Sequence, residues 1–190
     1  MGKRNQYIIV AVAFLLTASG LFYRALADHD EHGEEGRHQE KHRNHTEHND
    51  SRRLAPVTSP TYQENCGACH FAYQPGLLPS GSWHKILAGL EDHFGESIEL
   101  DPASKKMIAE YLEMNAAEHS SAKRAIKIMK SLGSQTPLKI TQIPYIQRKH
   151  HEIQPDVFKR DSIGSFSNCI ACHKTAERGI YEDDDVVVPK

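Results

Sequence analysis

The chain has 190 residues, with 23 basic and 25 acidic side chains, 13 histidines and four cysteines, and its apolar share is 38%. That length suits one domain with accessories, or two small domains. The composition fits neither a multispan membrane protein, a coiled coil nor a disulfide-dense miniprotein. Either much of the chain is unfolded or something other than side chains fills its interior.

Lys3 and Arg4 precede an apolar run from Tyr7 to Tyr23, and Ala25-Leu26-Ala27 then leads into Asp28. A short basic region, an apolar stretch and an A-x-A site read as an export signal over residues 1–27, cut before Asp28. The competing reading is an uncleaved anchor over residues 7–23, at the short edge of spanning length. Both put the working part outside the cytoplasm. Cleavage leaves an acidic chain, which argues against a nucleic-acid partner and leans towards a basic protein surface.

Residues 28–53 contain no apolar side chain but carry His29, His32, His38, His42, His45 and His48 among Asp, Glu, Arg and Asn. With nothing to bury, this linker is expected to be disordered. Loose metal scavenging by imidazoles is one reading. A solvated tether is the other, and the irregular histidine spacing favours it because no fixed coordination geometry follows. The folded domain is then residues 54–190.

All four cysteines fall in two C-x-x-C-H segments, Cys66-Gly-Ala-Cys69-His70 and Cys169-Ile-Ala-Cys172-His173. This is the attachment signature of c-type haem. Two residues between the thiols let a helical turn place both sulfurs at the porphyrin edge, and the following histidine supplies the proximal nitrogen to iron. A redox dithiol needs no such histidine, and a zinc site or disulfide does not account for two copies consuming every cysteine. Two covalent haem c groups are therefore expected. No internal repeat relates the two segments, so the chain between them must wall both haems and supply the distal ligands.

In chain order, Phe71 to Ser82 reads as a Pro/Gly-rich loop suited to a porphyrin face. A helix is predicted from about Ser82, with Trp83, Ile86, Leu87, Leu90 and Phe94 inward and Gly95 at its end. Asp101-Pro102 caps and opens a second, reaching about Ala117, with Ile108, Tyr111 and Leu112 inward. A third runs from about Ser121 to Gly133, with Ala122, Ala125, Ile126, Met129 and Leu132 inward. Residues 136–145 read as extended or loop, followed by a short helix through Arg148–Glu152. Helix is expected again over Asn168–Arg178, stopped by Gly179, before an extended acidic tail. The fold class is mainly α with extensive loops, a small dihaem c-type domain organised around its cofactors.

The distal ligands are drawn from His84, His93, His119, His150, His151, Met107, Met114 and Met129. The methionines fall within helices at or near apolar faces, where core packing accounts for them. His93 lies slightly nearer the apolar face than His84, His119 sits at a helix end, and pattern does not separate His150 from His151.

Several stretches together resemble the bacterial dihaem cytochrome c family of the soluble DHC type. They are C-G-A-C-H-F-A-Y-Q-P-G-L-L-P, D-H-F-G-E at Asp92–Glu96, L-D-P-A at Leu100–Ala103 and N-A-A at Asn115–Ala117. T-P-L-K-I-T with its following P-Y, R-K-H-H-E-I, S-N-C-I-A-C-H, G-I-Y-E and V-P complete the pattern, which spans about Asn65 to Pro189. The resemblance implies an exported, periplasmic electron carrier with two covalent haems and bis-histidine ligation. It assigns the irons to His70, His173, His93 and His150, and the thioethers to Cys66, Cys69, Cys169 and Cys172. Implied partners are periplasmic redox proteins, such as an oxygen-binding c-type haem protein or a membrane b-type cytochrome.

Two bis-histidine irons are coordinatively saturated, so the chain is expected to carry electrons and not to be an enzyme. The rival is a dihaem peroxidase-like enzyme with one open haem site. A third reading is a metal-sensing or metal-storing protein led by the histidine segment.

Overall fold

The computed structural model describes residues 51–190, in which six short α-helices alternate with 3-10 turns and loops. Among the described residues there is no strand, only isolated bridges between His93 and Glu96 and between His173 and Val186. The mainly α, loop-rich expectation holds. The export signal and the histidines of the linker lie outside the described residues. The three residues before Leu54 are tied to the domain. Ser51 accepts the Lys123 amide, Arg52 pairs with Glu182 at 3.1 Å and Arg53 donates to the Arg178 carbonyl.

Helix α1, Pro60–Cys66, precedes the first cysteine and was not anticipated. Its start is nonetheless legible: Ser59 accepts the Tyr62 amide and Pro60 occupies the first turn, where a missing N–H costs nothing. Helix α2, Ser80–Ala88, ends at Gly89, well before the predicted Gly95. The Gly89 amide is shared between the Lys85 and Ile86 carbonyls, which tightens the chain into a 3-10 turn over Leu90–Asp92. That change of winding breaks the 3.6-residue period. Trp83 and Leu87 stay buried, but Phe94 is exposed.

Helix α3, Pro102–Met114, starts as predicted, with the Asp101 carboxylate accepting from the Ala103 and Ser104 amides. It stops before Ala117, which opens a separate 3-10 turn to His119. Ile108 and Leu112 are buried from α3, each such side chain contributing about 1.5–3 kcal/mol. Helix α4, Lys123–Leu132, ends at Gly133 as expected. Its inward stripe is Ala125, Ile128 and Leu132, whereas Ile126, predicted inward, is 54% exposed. Positions 125, 128 and 132 share one face at helical spacing, and residue 126 stands about 100° round from it.

Met107 and Met114 also face solvent, at 49% and 67% exposure, so core packing does not explain them. Helix α5, Pro144–Lys149, begins earlier than predicted and stops with His150 as its cap. Helix α6 is only Cys169–Cys172. A 3-10 turn, Ala176–Arg178, completes that region, and Gly179 closes it in the left-handed conformation at φ 75°. The acidic tail, expected to be extended, makes a 3-10 turn over Asp183–Asp185.

α2 packs on α3, α3 on α1 and α4 on α5. The two ends of the domain are joined through Gln74, a fully buried side chain. Its amide donates to the Ala176 carbonyl at 2.7 Å, and its oxygen accepts the Tyr181 hydroxyl. A buried amide is tolerable only with its hydrogen bonds made. The loop after the first C-x-x-C-H segment is thereby fixed against the chain that follows the second.

Candidate haem-binding site

Both C-x-x-C-H segments open on one cavity of about 1060 Å3, above the roughly 300–1,000 Å3 of most single-ligand pockets. Cys66, Cys69, His70, His93, Cys169, Cys172, His173 and His150 all line it. The single turn of α6 carries both Cys169 and Cys172 to its rim, whereas in the first segment Cys66 ends α1 and Cys69 follows in a bend, so the expected helical turn forms only at the second. All four cysteines are unpaired, so the disulfide reading falls. Burial pushes the Cys66 and Cys169 thiols up to about 11, and raises Cys172 as well. A redox dithiol needs the opposite shift, towards a stable thiolate. Among the described residues no group of three or more His, Cys, Asp or Glu side chains is placed to hold a metal ion.

The first segment's histidine is oriented by its own neighbour. His70 Nδ1 lies 2.8 Å from the Phe71 carbonyl oxygen. Such a contact keeps the proton on Nδ1 and leaves the Nε2 lone pair for a metal. Its ring stacks towards His93, with centres 6.3 Å apart and planes 23° apart. His93 stands at the foot of a tight hairpin. It donates its amide to the Glu96 carbonyl at 2.7 Å and accepts from the Glu96 amide at 3.3 Å. The two turn residues, Phe94 and Gly95, both have positive φ, 60° and 102°, as this hairpin type requires. Burial, then the charge of His70, lowers the His93 imidazole below its ordinary value and keeps it neutral.

At the second segment His173 faces His150, with ring centres 5.9 Å apart and planes 74° apart. His150 is aimed by the Ile146 carbonyl, 2.8 Å from its Nδ1. Phe166 packs edge-on against it. Burial, then the charges of His150 and Arg124, pushes the His173 imidazole down to about 4. Its neutral, ligating form therefore prevails at ordinary pH. A pair of metal–imidazole bonds, each about 2.0–2.1 Å, sets ring centres on opposite sides of one ion roughly 6 Å apart. Both histidine pairs have that span, so the donor set fits two six-coordinate haem irons.

None of the remaining histidine candidates faces either C-x-x-C-H histidine. His84 is exposed beside Glu113 at 3.4 Å, and His119 is exposed at its 3-10 turn. His151 lines the cavity too but is exposed, with Nδ1 against the Arg148 carbonyl and no ring contact to His173. Among the described residues no methionine lines the cavity. Sequence reasoning missed Arg124 and Tyr181 as neighbours of His173. Tyr181 carried a signal, since it belongs to the Gly-Ile-Tyr-Glu stretch; Arg124 is one cation among several on α4 and carried none.

The dihaem cytochrome c family model matches residues 62–181. Among solved structures, the chain is similar to a dihaem cytochrome c from Rhodobacter sphaeroides, with 43% identity and a TM-score of 0.59, over 67% of this chain and 99% of that one. It is also similar to a dihaem c-type cytochrome from Shewanella baltica, with 37% identity and a TM-score of 0.56, over 68% of this chain and 92% of that one. Among curated proteins nothing matches. No helix among the described residues is long and apolar enough to cross a membrane. With both attachment segments, two facing histidine pairs and these similarities in place, the chain belongs to the dihaem cytochrome c family, haem-based electron-transfer proteins with two covalently bound haem c groups.

Proposed function

We propose that the chain is a periplasmic electron carrier with no bond-making chemistry of its own, in which both irons are held by two histidines. His70 and His93 take one iron, His173 and His150 the other. Cys66 and Cys69 fix the first porphyrin, and Cys169 and Cys172 the second. The observation that carries this reading is the span of the two imidazole pairs, 6.3 and 5.9 Å. With these four histidines holding the two irons, oxygen, peroxide or carbon monoxide would reach the metal only by displacing a side chain. Haem held by these residues would supply a one-electron Fe(III)/Fe(II) couple, and the protein's part is to hold the haem edges and set their potentials.

The apolar run and A-x-A site support export, and the partner proposed is a periplasmic redox protein, an oxygen-binding c-type haem protein or a membrane b-type cytochrome, on the sequence resemblance alone. Spectra of the purified holoprotein test the assignment. Low-spin haem in both oxidation states, unreactive towards carbon monoxide, is expected. A high-spin fraction, or carbon monoxide uptake by half the haem, would replace the carrier with the peroxidase-like reading. A methionine–iron charge-transfer band would overturn bis-histidine ligation.

A further inference from the structure

The two histidine pairs are built alike but sit in unlike surroundings. His70 is exposed and its Nδ1 contacts a carbonyl. His173 is half-buried, and its Nδ1 is buried without a hydrogen-bond partner. A carbonyl on Nδ1 makes an imidazole more basic and stabilises the more highly charged Fe(III). Burial and missing hydrogen bonds act the other way, because a charged ferric centre is poorly solvated in low dielectric.

A half-buried cation adds to this at the second site, whereas the cation nearest the first pair, Lys139 over the Phe94 ring beside His93, is exposed to solvent that screens it. Arg124 reaches across from α4 and donates to the Tyr181 carbonyl, and its guanidinium lies 5.3 Å from the centre of the Tyr181 ring. The other side of that assembly is His173, whose ring meets Tyr181 edge-on at 5.5 Å. Arg124 also lines the haem cavity, and its Nε is buried without a partner. The counter-charge is Asp183, which faces both Arg124 and His173 but is shared with Lys149 and is largely exposed.

We propose that Arg124 sets the potential of the haem attached at Cys169 and Cys172, and makes it the more readily reduced of the two. It touches neither iron nor imidazole; it is a positioning residue that acts by charge through the Tyr181–His173 stack. Reduction adds one electron to the site without breaking a bond or moving a proton, and a fixed positive charge nearby favours that added electron. An electron entering at the first haem then passes downhill to the second: the first iron goes from Fe(II) to Fe(III) as the second goes from Fe(III) to Fe(II). The inference rests on His173 being an axial ligand.

Potentiometric titration of the holoprotein tests it, read alongside the low-spin spectrum so that ligation and tuning are separated. The wild type should titrate in two waves. Arg124→Gln should keep both haems low-spin and lower only the upper wave, by about tenfold in the reduction equilibrium, about 59 mV for one electron. Arg124→Lys, which keeps the charge, should leave the upper wave near its original position. Asp183→Asn, on an exposed side chain, should raise the upper wave, and decides the matter if Arg124→Gln does not fold. A single wild-type wave, a shift of the lower wave, an equal fall in Arg124→Lys, or an Asp183→Asn variant with unmoved waves would each overturn the proposal. Failure of the ligand assignment itself would instead appear as a non-low-spin wild-type spectrum.

Discussion

The imidazole of His150 stands 74° from the plane of His173, ring centres 5.9 Å apart. The equivalent pair, His70 and His93, lies within 23° of parallel. When axial imidazoles are parallel, both press on the same iron d orbital and split it from its partner. When they are perpendicular, each acts on a different orbital and the splitting collapses. Electron paramagnetic resonance of the oxidised protein should therefore contain two low-spin signals. One should be rhombic, from the first haem, and the other strongly anisotropic with a large maximum g value, from the second. Two identical rhombic signals would contradict the perpendicular arrangement.

His150 and His151 both line the cavity, but the His150 ring faces His173 while His151 is exposed beside Glu152. Replacing His150 or His93 by Ala should leave one haem five-coordinate and open to carbon monoxide, half the total in each variant. Replacing His151 by Ala should leave the spectrum unchanged. Carbon monoxide binding in His151→Ala, with none in His150→Ala, would reverse the assignment.

The attachment half of the site was legible because its chemistry is local. Two thiols and a histidine fall within five residues, so the sequence states them together whether the chain turns helically there, as at Cys169–Cys172, or bends beyond a helix end, as at Cys69. The distal half is not local. His93 is brought to the cavity by a change of winding at Gly89 and a hairpin with two positive φ angles, and helical periodicity describes neither. It instead extended α2 to Gly95 and put Phe94 inward. His150 and His151 differ by a single step round a helix end, where 3.6-residue phase has no authority. Only the family resemblance singled out His150. The helices themselves followed their caps: Asp101-Pro102 opens α3 and Gly133 closes α4. The inward stripe of α4 was misread because Ile126 and Ile128 offered rival faces of similar apolarity, and only the packing partner chooses between them.

The hairpin that carries His93 makes a prediction about backbone alone. Gly95 has φ 102°, and a Cβ placed there would meet no atom within 4 Å. Gly95→Ala therefore creates no clash, and its whole cost is conformational, about 1–2 kcal/mol for a side chain forced into positive φ. Phe94 already bears a strain of this kind at φ 60°. Its ring lies 4.7 Å from that of His93 and beneath Lys139. Denaturant titration of the ferric holoprotein should register the loss in Gly95→Ala. A midpoint equal to the wild type would mean that the hairpin is not held as described.

The start of α2 supplies a pH dependence. Its preceding residue is Pro79, which has no side-chain acceptor, and the first amides are capped from a distant position: Glu118 accepts from the Ser80 amide at 3.0 Å and also from the Ser80 hydroxyl. Burial pushes the Glu118 carboxyl up, but the Ser80 hydrogen bonds outweigh it and hold the group below the ordinary carboxylate range. A carboxylate at a helix N-terminus also meets the favourable end of the dipole. Because the folded form is the stronger acid, the unfolded chain takes up the proton first as pH falls. The stabilisation is complete above the ordinary glutamate value of about 4.3 and is lost as pH drops through the lower folded value. Glu118→Ala should cost about 1 kcal/mol at neutral pH, the usual worth of a helix cap. Glu118→Gln should retain part of the cap and lose less stability than the wild type between neutral pH and pH 3. Denaturant midpoints measured across that range check both, and parallel decline of Glu118→Gln and wild type would show that the capping carboxylate does not titrate with folding.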